Sequence, residues 1–208
     1  MGKYIPISGF HTLDAIRNDP ENVIEAILAS VAGDHEDLKS VATGVPEIEN
    51  LVDGVPSHLD KATLLFLSCI DLEITRGPFA EPLDGGKGSK EKLGRWPTED
   101  GNAIAYLIEY SIPKRNTLHE LLAKLTLGLN PEFLGEDGFD KGPMGLELLG
   151  WVTASEVKEL LREITRGSWT VKADEPFDGG VQDGFRHLST ILSGAAKRGL
   201  GLLMRRHS

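Results

Sequence analysis

Apolar residues recur at helical spacing along much of this chain, and a few shorter apolar runs are typical of β-strands. The clearest helix begins at Thr153-Ala154-Ser155-Glu156, a capping box followed by apolar residues on one face until Gly167. Asp19 followed by Pro20 predicts another helix start, because a capping acid and a proline both favour the first turn. Further helices are predicted at 35–42, 46–52, 57–72, 102–111, 116–128 and 182–198.

Strands are predicted near residues 3–8, 146–152 and 200–204, where β-branched or consecutive apolar residues form short runs. Helices dominate, and they do not alternate regularly with strands as they would in a doubly wound sheet. The pattern therefore predicts an α+β fold, helix-rich and with a small sheet. No low-complexity linker divides the chain, so a single domain over 1–208 is predicted, with a loop-rich and helical insertion at about 86–145.

One stretch of sequence occurs twice, at 73–86 and at 163–180. Each copy has Glu-Ile-Thr-Arg-Gly, an aromatic residue two positions later, and then Glu-Pro, an apolar residue and Asp-Gly-Gly. Arginine followed by glycine suits a helix C-terminus, and Asp-Gly-Gly suits a tight turn, so each copy is interpreted as a helix end and a turn. The alternative is a ligand-binding groove where the two loops converge, formed by Arg76, Asp84, Arg166, Asp178, Asp183 and His187.

Motifs for catalysis, cofactors and metals are incomplete. The run from Gly86 to Lys90 resembles a phosphate loop, but a helix precedes it where that motif needs a strand. Asp183 and His187 are spaced to touch on one helix, yet such contacts are common and do not by themselves indicate catalysis. The six histidines lack zinc-site spacing, and an acidic loop at 135–140 lacks the ligand spacing of an EF-hand. We therefore predict no metal and no cofactor.

The single cysteine and the absence of membrane signals point to the cytoplasm. Cys69 lies within an apolar run, which predicts a small buried residue and excludes an intrachain disulfide. No apolar run approaches the roughly 20 residues that a membrane span requires. The first residues also lack the apolar core and cleavage site of a signal peptide.

Acidic residues are concentrated in the first third of the chain, which has a formal net charge of −10 in all. Residues 1–60 contain eleven acids and three basic residues. This charge argues against nucleic-acid binding and favours a basic protein partner, because opposite fields steer association. The alternative is that the acids only solvate helix faces. The predicted partner-binding residues are Asp34, Glu36, Asp37, Glu47 and Glu49.

Three patches of sequence carry a resemblance to a known family. Residues 59–62 lead a buried helix into a loop, 151–157 join a strand to a helix, and 195–203 join a helix to a strand. Together they resemble the YfbM-like family, bacterial domains of unknown function. The resemblance implies an α+β cytoplasmic domain and carries over no functional residues. The long insertion at 86–145 departs from the compact pattern of that family.

Taken with the lack of a catalytic set, the acidic first third favours a non-enzymatic binding protein. An immunity protein or antitoxin that neutralises a toxin through an acidic surface is one such protein. The alternative hypothesis is an enzyme or small-ligand-binding protein that acts at the paired Asp-Gly-Gly loops, 76–86 and 166–183.

Overall fold

The computed structural model describes residues 10–71, 80–83, 96–98 and 100–207. Within these ranges, strands β1 to β6 are Phe10–Ile16, Glu81–Pro82, Ser111–Pro113, Glu147–Val152, Trp169–Val171 and Gly201–His207. Helices α1 to α9 are Pro20–Ala29, Glu36–Val41, Pro46–Glu49, Lys61–Cys69, Ala103–Tyr110, Asn116–Leu127, Pro131–Leu134, Ala154–Thr165 and Gly180–Arg198. Each helix predicted from the sequence is present, with end points that differ by a few residues.

Strands β2, β1, β6 and β4 form one antiparallel sheet in that order, and β3 pairs with β5 in a separate two-stranded sheet. The central pair is β1 with β6, in register from Phe10 opposite His207 to Ile16 opposite Gly201. A small antiparallel sheet among many helices confirms the predicted α+β fold class.

Two of the three predicted strands are confirmed. The run at 146–152 is β4, and the run at 200–204 is β6, which continues to His207. The strand predicted at 3–8 lies outside the described residues. The apolar pattern does not predict β1, because this strand carries His11 and Asp14, polar side chains that are nevertheless buried.

Helices cover both faces of the four-stranded sheet, so two apolar cores form. Leu13 and Leu202 belong to the first core, which α5, α6, α8 and α9 complete. Ile16 and Leu203 belong to the second core, which α1 to α4 complete. Because α5 and α6 come from the predicted insertion at 86–145, that segment supplies part of the first core.

The helix starts follow the capping rules that predicted them. The backbone N–H of Glu156 donates to the Thr153 hydroxyl, and the Glu156 carboxylate accepts the Thr153 N–H at 2.8 Å. The Asp19 carboxylate accepts the N–H of Glu21 at 3.1 Å at the start of α1. These bonds satisfy backbone donors that have no partner inside the helix.

Helix α6 and strand β4 approach each other closely at Gly150. A β-carbon at this position would lie 2.1 Å from the carbonyl oxygen of Lys124 and 2.7 Å from the nitrogen of Gly128. The pairing of β4 with β6 also shifts register between Leu148 and Gly150, as in a β-bulge. Because Gly150 has no β-carbon, α6 can lie this close to the sheet.

Cys69 is fully buried, which confirms its predicted role as a small apolar residue of the second core. Burial raises the pKa of its thiol, so the reactive thiolate is disfavoured.

No helix in the described ranges is both long enough and apolar enough to cross a membrane.

Candidate functional site

The second copy of the repeated segment ends one helix and begins another. Arg166 is the C-terminal cap of α8, and Gly167 follows with a φ of 63°. The indole N–H of Trp169 donates to the carbonyl oxygen of Ile164 at 3.1 Å, so the ring folds back on the last turn. The predicted helix end is therefore confirmed in this copy.

The Glu-Pro-Phe-Asp-Gly-Gly part of this copy forms the start of α9. The Glu175 carboxylate accepts the N–H of Val181 and, at 3.0 Å, the hydroxyl of Tyr106. Gly179 has a φ of 79°, and a β-carbon on Gly180 would lie 2.8 Å from the Tyr106 hydroxyl. These residues therefore shape the backbone, as the turn interpretation expects.

The two copies do not repeat as structure where both are described. Glu81 and Pro82 form the edge strand β2, whereas Glu175 and Pro176 lie outside any strand. Arg76 and Asp84, the two predicted ligand residues of the first copy, lie outside the described residues. Convergence of the two loops on one groove therefore stays a prediction.

The remaining predicted ligand residues are spread over the start of α9 and the end of α8. Asp183 accepts a bond from Nη1 of Arg186 at 2.7 Å, so its carboxylate pairs with a cation on its own helix. His187 bonds through Nε2 to the carbonyl oxygen of Pro82 at 2.8 Å. Since a carbonyl only accepts, Nε2 carries the proton. Asp178 and Arg166 are exposed.

A serine–histidine pair that the sequence pattern does not reveal lies beside the two-stranded sheet. The Ser111 hydroxyl is 2.9 Å from Nε2 of His119 and donates to the carbonyl oxygen of Leu107. Such a pair could activate a nucleophile, but Ser111 is only 1% exposed. Eight residues separate the two positions, so only the fold brings them together. The pair is best explained as a structural contact.

Acidification is expected to reduce the stability that the neutral, partly buried His119 contributes. Burial, and then the charge of Lys172, lowers the pKa of His119. A lowered folded-state pKa means that the contribution to stability is present above the unfolded value, near 6.5, and is lost as the pH falls. The difference in unfolding free energy between the wild type and His119→Gln should therefore shrink between pH 7 and pH 5 in urea titrations. A difference that stays constant with pH would contradict this account.

A buried ion pair lies on the face of the sheet that meets the second core. Asp14 is 1% exposed, and Nε and Nη2 of Arg205 donate to its two carboxylate oxygens at 3.0 and 3.2 Å. The guanidinium also lies over the Phe66 ring, 5.0 Å from its centroid. Burial raises the pKa of the Asp14 carboxyl, and Arg205 opposes that rise. The pair joins the two central strands.

The opposite face of the same strands carries a second polar row. Nε2 of His11 is 3.4 Å from Asp100, and Nη1 of its cross-strand neighbour Arg206 is 3.5 Å from Glu147. The contact with His11 lowers the pKa of Asp100. His11 is 2% exposed, which keeps its ring from acting on a substrate in solution. This row is therefore also structural.

The acidic surface, defined as residues 30–58, is a strongly charged part of the described chain. It carries six acids and one lysine, a net charge of −5. The single lysine, Lys39, bonds to Asp53 at 2.9 Å. This bond lowers the pKa of Asp53 and leaves five acids without a cation in this segment. All five are exposed, namely Asp34, Glu36, Asp37, Glu47 and Glu49.

Exposed apolar side chains interrupt the charges of the acidic surface. Val31, Val52 and Val55 are 60%, 65% and 55% exposed. Val52 and Val55 also line a hollow of about 220 Å³, with Glu47 and His58 among its other walls. The surface therefore combines negative charge with apolar area.

The acidic surface is held together by local bonds. Nε2 of His35, a fully buried side chain, donates to the carbonyl oxygen of Val55 at 2.8 Å. The N–H of Gly54 donates to the carbonyl oxygen of Gly33 at 2.8 Å, and a β-carbon on Gly33 would lie 2.8 Å from this backbone. These bonds tie the backbone at both ends of the acidic surface together.

No protein-family model, curated protein or solved structure gives a significant match to this chain. The resemblance to YfbM-like domains therefore stays a prediction. In the part of the chain that the structure describes, no group of three or more metal-ligating side chains is placed to hold an ion. The acidic surface is the predicted site that lies wholly within the described residues and keeps its side chains open to solvent.

Proposed function

We propose that this protein is a binding protein whose acidic surface engages a basic protein partner. The observation that carries the proposal is the exposure of five acids on a surface that also holds a partly apolar hollow, with the one lysine of the segment already paired. Interfaces between proteins combine an apolar centre with a polar or charged rim. The acidic surface has this composition.

The combination of charge and apolar area favours a protein over other partners. A nucleic acid would be repelled by a net charge of −5. A basic peptide segment can place cations on Glu36 or Glu47 and an apolar side chain on Val52. Opposite charges would raise the association rate, and valines that the partner covers on binding would slow dissociation.

A toxin-neutralising protein is the specific form of this proposal. A toxin that acts on nucleic acids carries clustered lysines and arginines, and an acidic cover on those residues would block its substrate. This form adds one expectation. The partner should inhibit bacterial growth when it is expressed alone, and growth should recover when this chain is expressed with it.

The proposal is tested with two labelled peptides of equal charge. One peptide places leucines between lysines, and the other has serine at each leucine position. Fluorescence anisotropy should give a dissociation constant for the leucine peptide at least tenfold lower, because apolar contacts add to the charge attraction. Val52→Ser and Val55→Ser together should remove that preference and leave folding intact, since both side chains are exposed. Equal binding of the two peptides by the wild type would contradict the proposal.

Charge-neutralised variants distinguish binding at the acidic surface from attraction by the net charge of the whole protein. The triple variant Glu36→Gln, Asp37→Asn, Glu47→Gln should weaken binding roughly tenfold, because each exposed ion pair contributes about 0.2–1 kcal/mol. Substitution with neutral side chains keeps the shape of the hollow. All three residues are exposed, so the variant should stay folded.

The matched control has the same net charge and an intact acidic surface. It carries Glu120→Gln, Glu132→Gln and Asp174→Asn, three exposed acids outside residues 30–58. Its binding should stay within twofold of the wild type at about 0.15 M salt, where distant charges are largely screened. An equal loss in both triple variants would show that net charge alone attracts the peptide.

A further inference from the structure

A groove lies between α9 and the four-stranded sheet, on the side of the first core. It has a volume of about 110 Å³. Leu13 and Leu202, on the two central strands, form part of its floor, and Ile191 and Ala195 face them from α9. Of the predicted ligand residues that the structure describes, His187 lines this groove. No part of the proposed function uses it.

Gly194 lines the groove at a position that does not require glycine. It lies inside α9, is exposed, and has no positive φ. A β-carbon there would meet no atom within 4 Å. Glycine inside a helix is less stable than alanine, so this choice weakens α9 with no gain in packing. The remaining consequence of the missing side chain is an open groove.

The two ends of the groove differ in charge. Glu81 pairs across the strands with Leu13 and lies at the end near His187. Arg198 lies at the other end, about 16 Å further along the helix. Its Nε donates weakly to the carbonyl oxygen of Gly194 at 3.4 Å, and its side chain lines the groove.

The end at Arg198 carries the positive charge. No acid follows Asp183 in the sequence, and Lys197 adjoins Arg198. The other three arginines after Asp183 are already paired with acids: Arg186 with Asp183, Arg205 with Asp14 and Arg206 with Glu147. Arg198 forms no ion pair among the described residues, so its guanidinium is free to bind an anion.

We propose that this groove binds a short aliphatic carboxylate, with the carboxylate on Arg198 and the chain on the apolar floor. An engineered cavity of about 150 Å³ accommodates benzene, so this smaller groove suits a chain of about four or five carbons. A ligand of this size binds with a dissociation constant on the order of millimolar. This site is independent of the acidic surface, and either proposal can fail alone.

The experiment compares three probes that share a five-carbon chain. Pentanoate, pentanol and pentylamine are titrated at pH 7.5 into the labelled protein, and amide chemical shifts are followed by NMR. The wild type should bind pentanoate roughly fivefold more tightly than pentanol, with shifts at Leu13, Gly194 and Leu202. Arg198→Gln should reduce pentanoate to the level of pentanol. Tighter binding of pentylamine would assign the head group to Glu81 and overturn the carboxylate.

Two variants of Gly194 distinguish a loss of ligand binding from a loss of folding. Gly194→Ala should raise the melting temperature by roughly 2 °C, because alanine favours the helix. Gly194→Leu should also fold, since the position is exposed, but its side chain should fill the groove and abolish the shifts with pentanoate. Unchanged binding by Gly194→Leu, or no binding of any probe by the wild type, would overturn the proposal.

Discussion

Replacing Arg205 with methionine is expected to lower the free energy of unfolding by about 3–5 kcal/mol at pH 7, because it leaves a buried carboxylate without its cation. Asp14 is 1% exposed and is bonded by two guanidinium nitrogens of Arg205. Methionine keeps much of the apolar stem over Phe66, so the loss reports mainly on the charge. Urea denaturation followed by circular dichroism measures the difference.

The loss should depend on pH in a defined direction. Burial raises the pKa of Asp14, and Arg205 partly offsets that rise. A raised folded-state pKa means that the contribution of the group is present below the unfolded value and is lost as pH rises through the folded value. Without Arg205 the folded-state pKa of Asp14 rises further. The Arg205→Met variant should therefore recover part of its stability as pH falls from 7 to 5.

The double variant supplies the control for this prediction. Asp14→Asn with Arg205→Met removes both charges, and it should be more stable at pH 7 than Arg205→Met alone. Asp14→Asn alone should cost less than Arg205→Met, since the Arg205 side chain is 23% exposed and can be hydrated. A variant Arg205→Met with wild-type stability, or with a loss that does not change with pH, would contradict this account.

Gly150→Ala is expected to destabilise the protein by more than about 3 kcal/mol, at the upper end of the cost of overpacking. The new β-carbon would lie 2.1 Å from the carbonyl oxygen of Lys124 and 2.7 Å from the nitrogen of Gly128. Both are backbone atoms, so no rotamer change can relieve the clash, and α6 must move away from β4.

The matched control for this prediction is the other glycine-to-alanine change. Gly194→Ala adds the same methyl group where nothing lies within 4 Å, and it should stabilise the protein by about 0.5–1 kcal/mol. The two variants are compared in one series of urea denaturation experiments. Opposite signs would support the packing account, and equal effects would show that the approach of α6 to β4 is not tightly fixed.

The helices were predictable because their signals are local. The capping box at Thr153 and the proline after Asp19 act within four residues, and the observed starts of α8 and α1 follow them. Strand β1 was not predictable in this way. His11 and Asp14 are polar, and their burial depends on Asp100 and Arg205, which lie far away in the sequence.

The candidate sites also differ in whether local sequence signals predict them. The exposure of Glu36 and Glu47 could be predicted, because short helices with acids in the first turn keep those acids in water. The groove could not be predicted, because the strand order brings Leu13 and Leu202 together and the packing of α9 on the sheet adds Gly194. The ligand site predicted at the two repeated loops stays a prediction, since Arg76 and Asp84 lie outside the described residues.

The pairing of β1 with β6 has a consequence for synthesis on the ribosome. Phe10 is matched with His207, so the middle of the sheet joins residues that are translated nearly a whole chain apart. A nascent chain that stops before Gly201 has helices but lacks the strand on which both cores rest. Contacts between such distant residues slow folding, so the sheet can close only after residue 207 has left the exit tunnel.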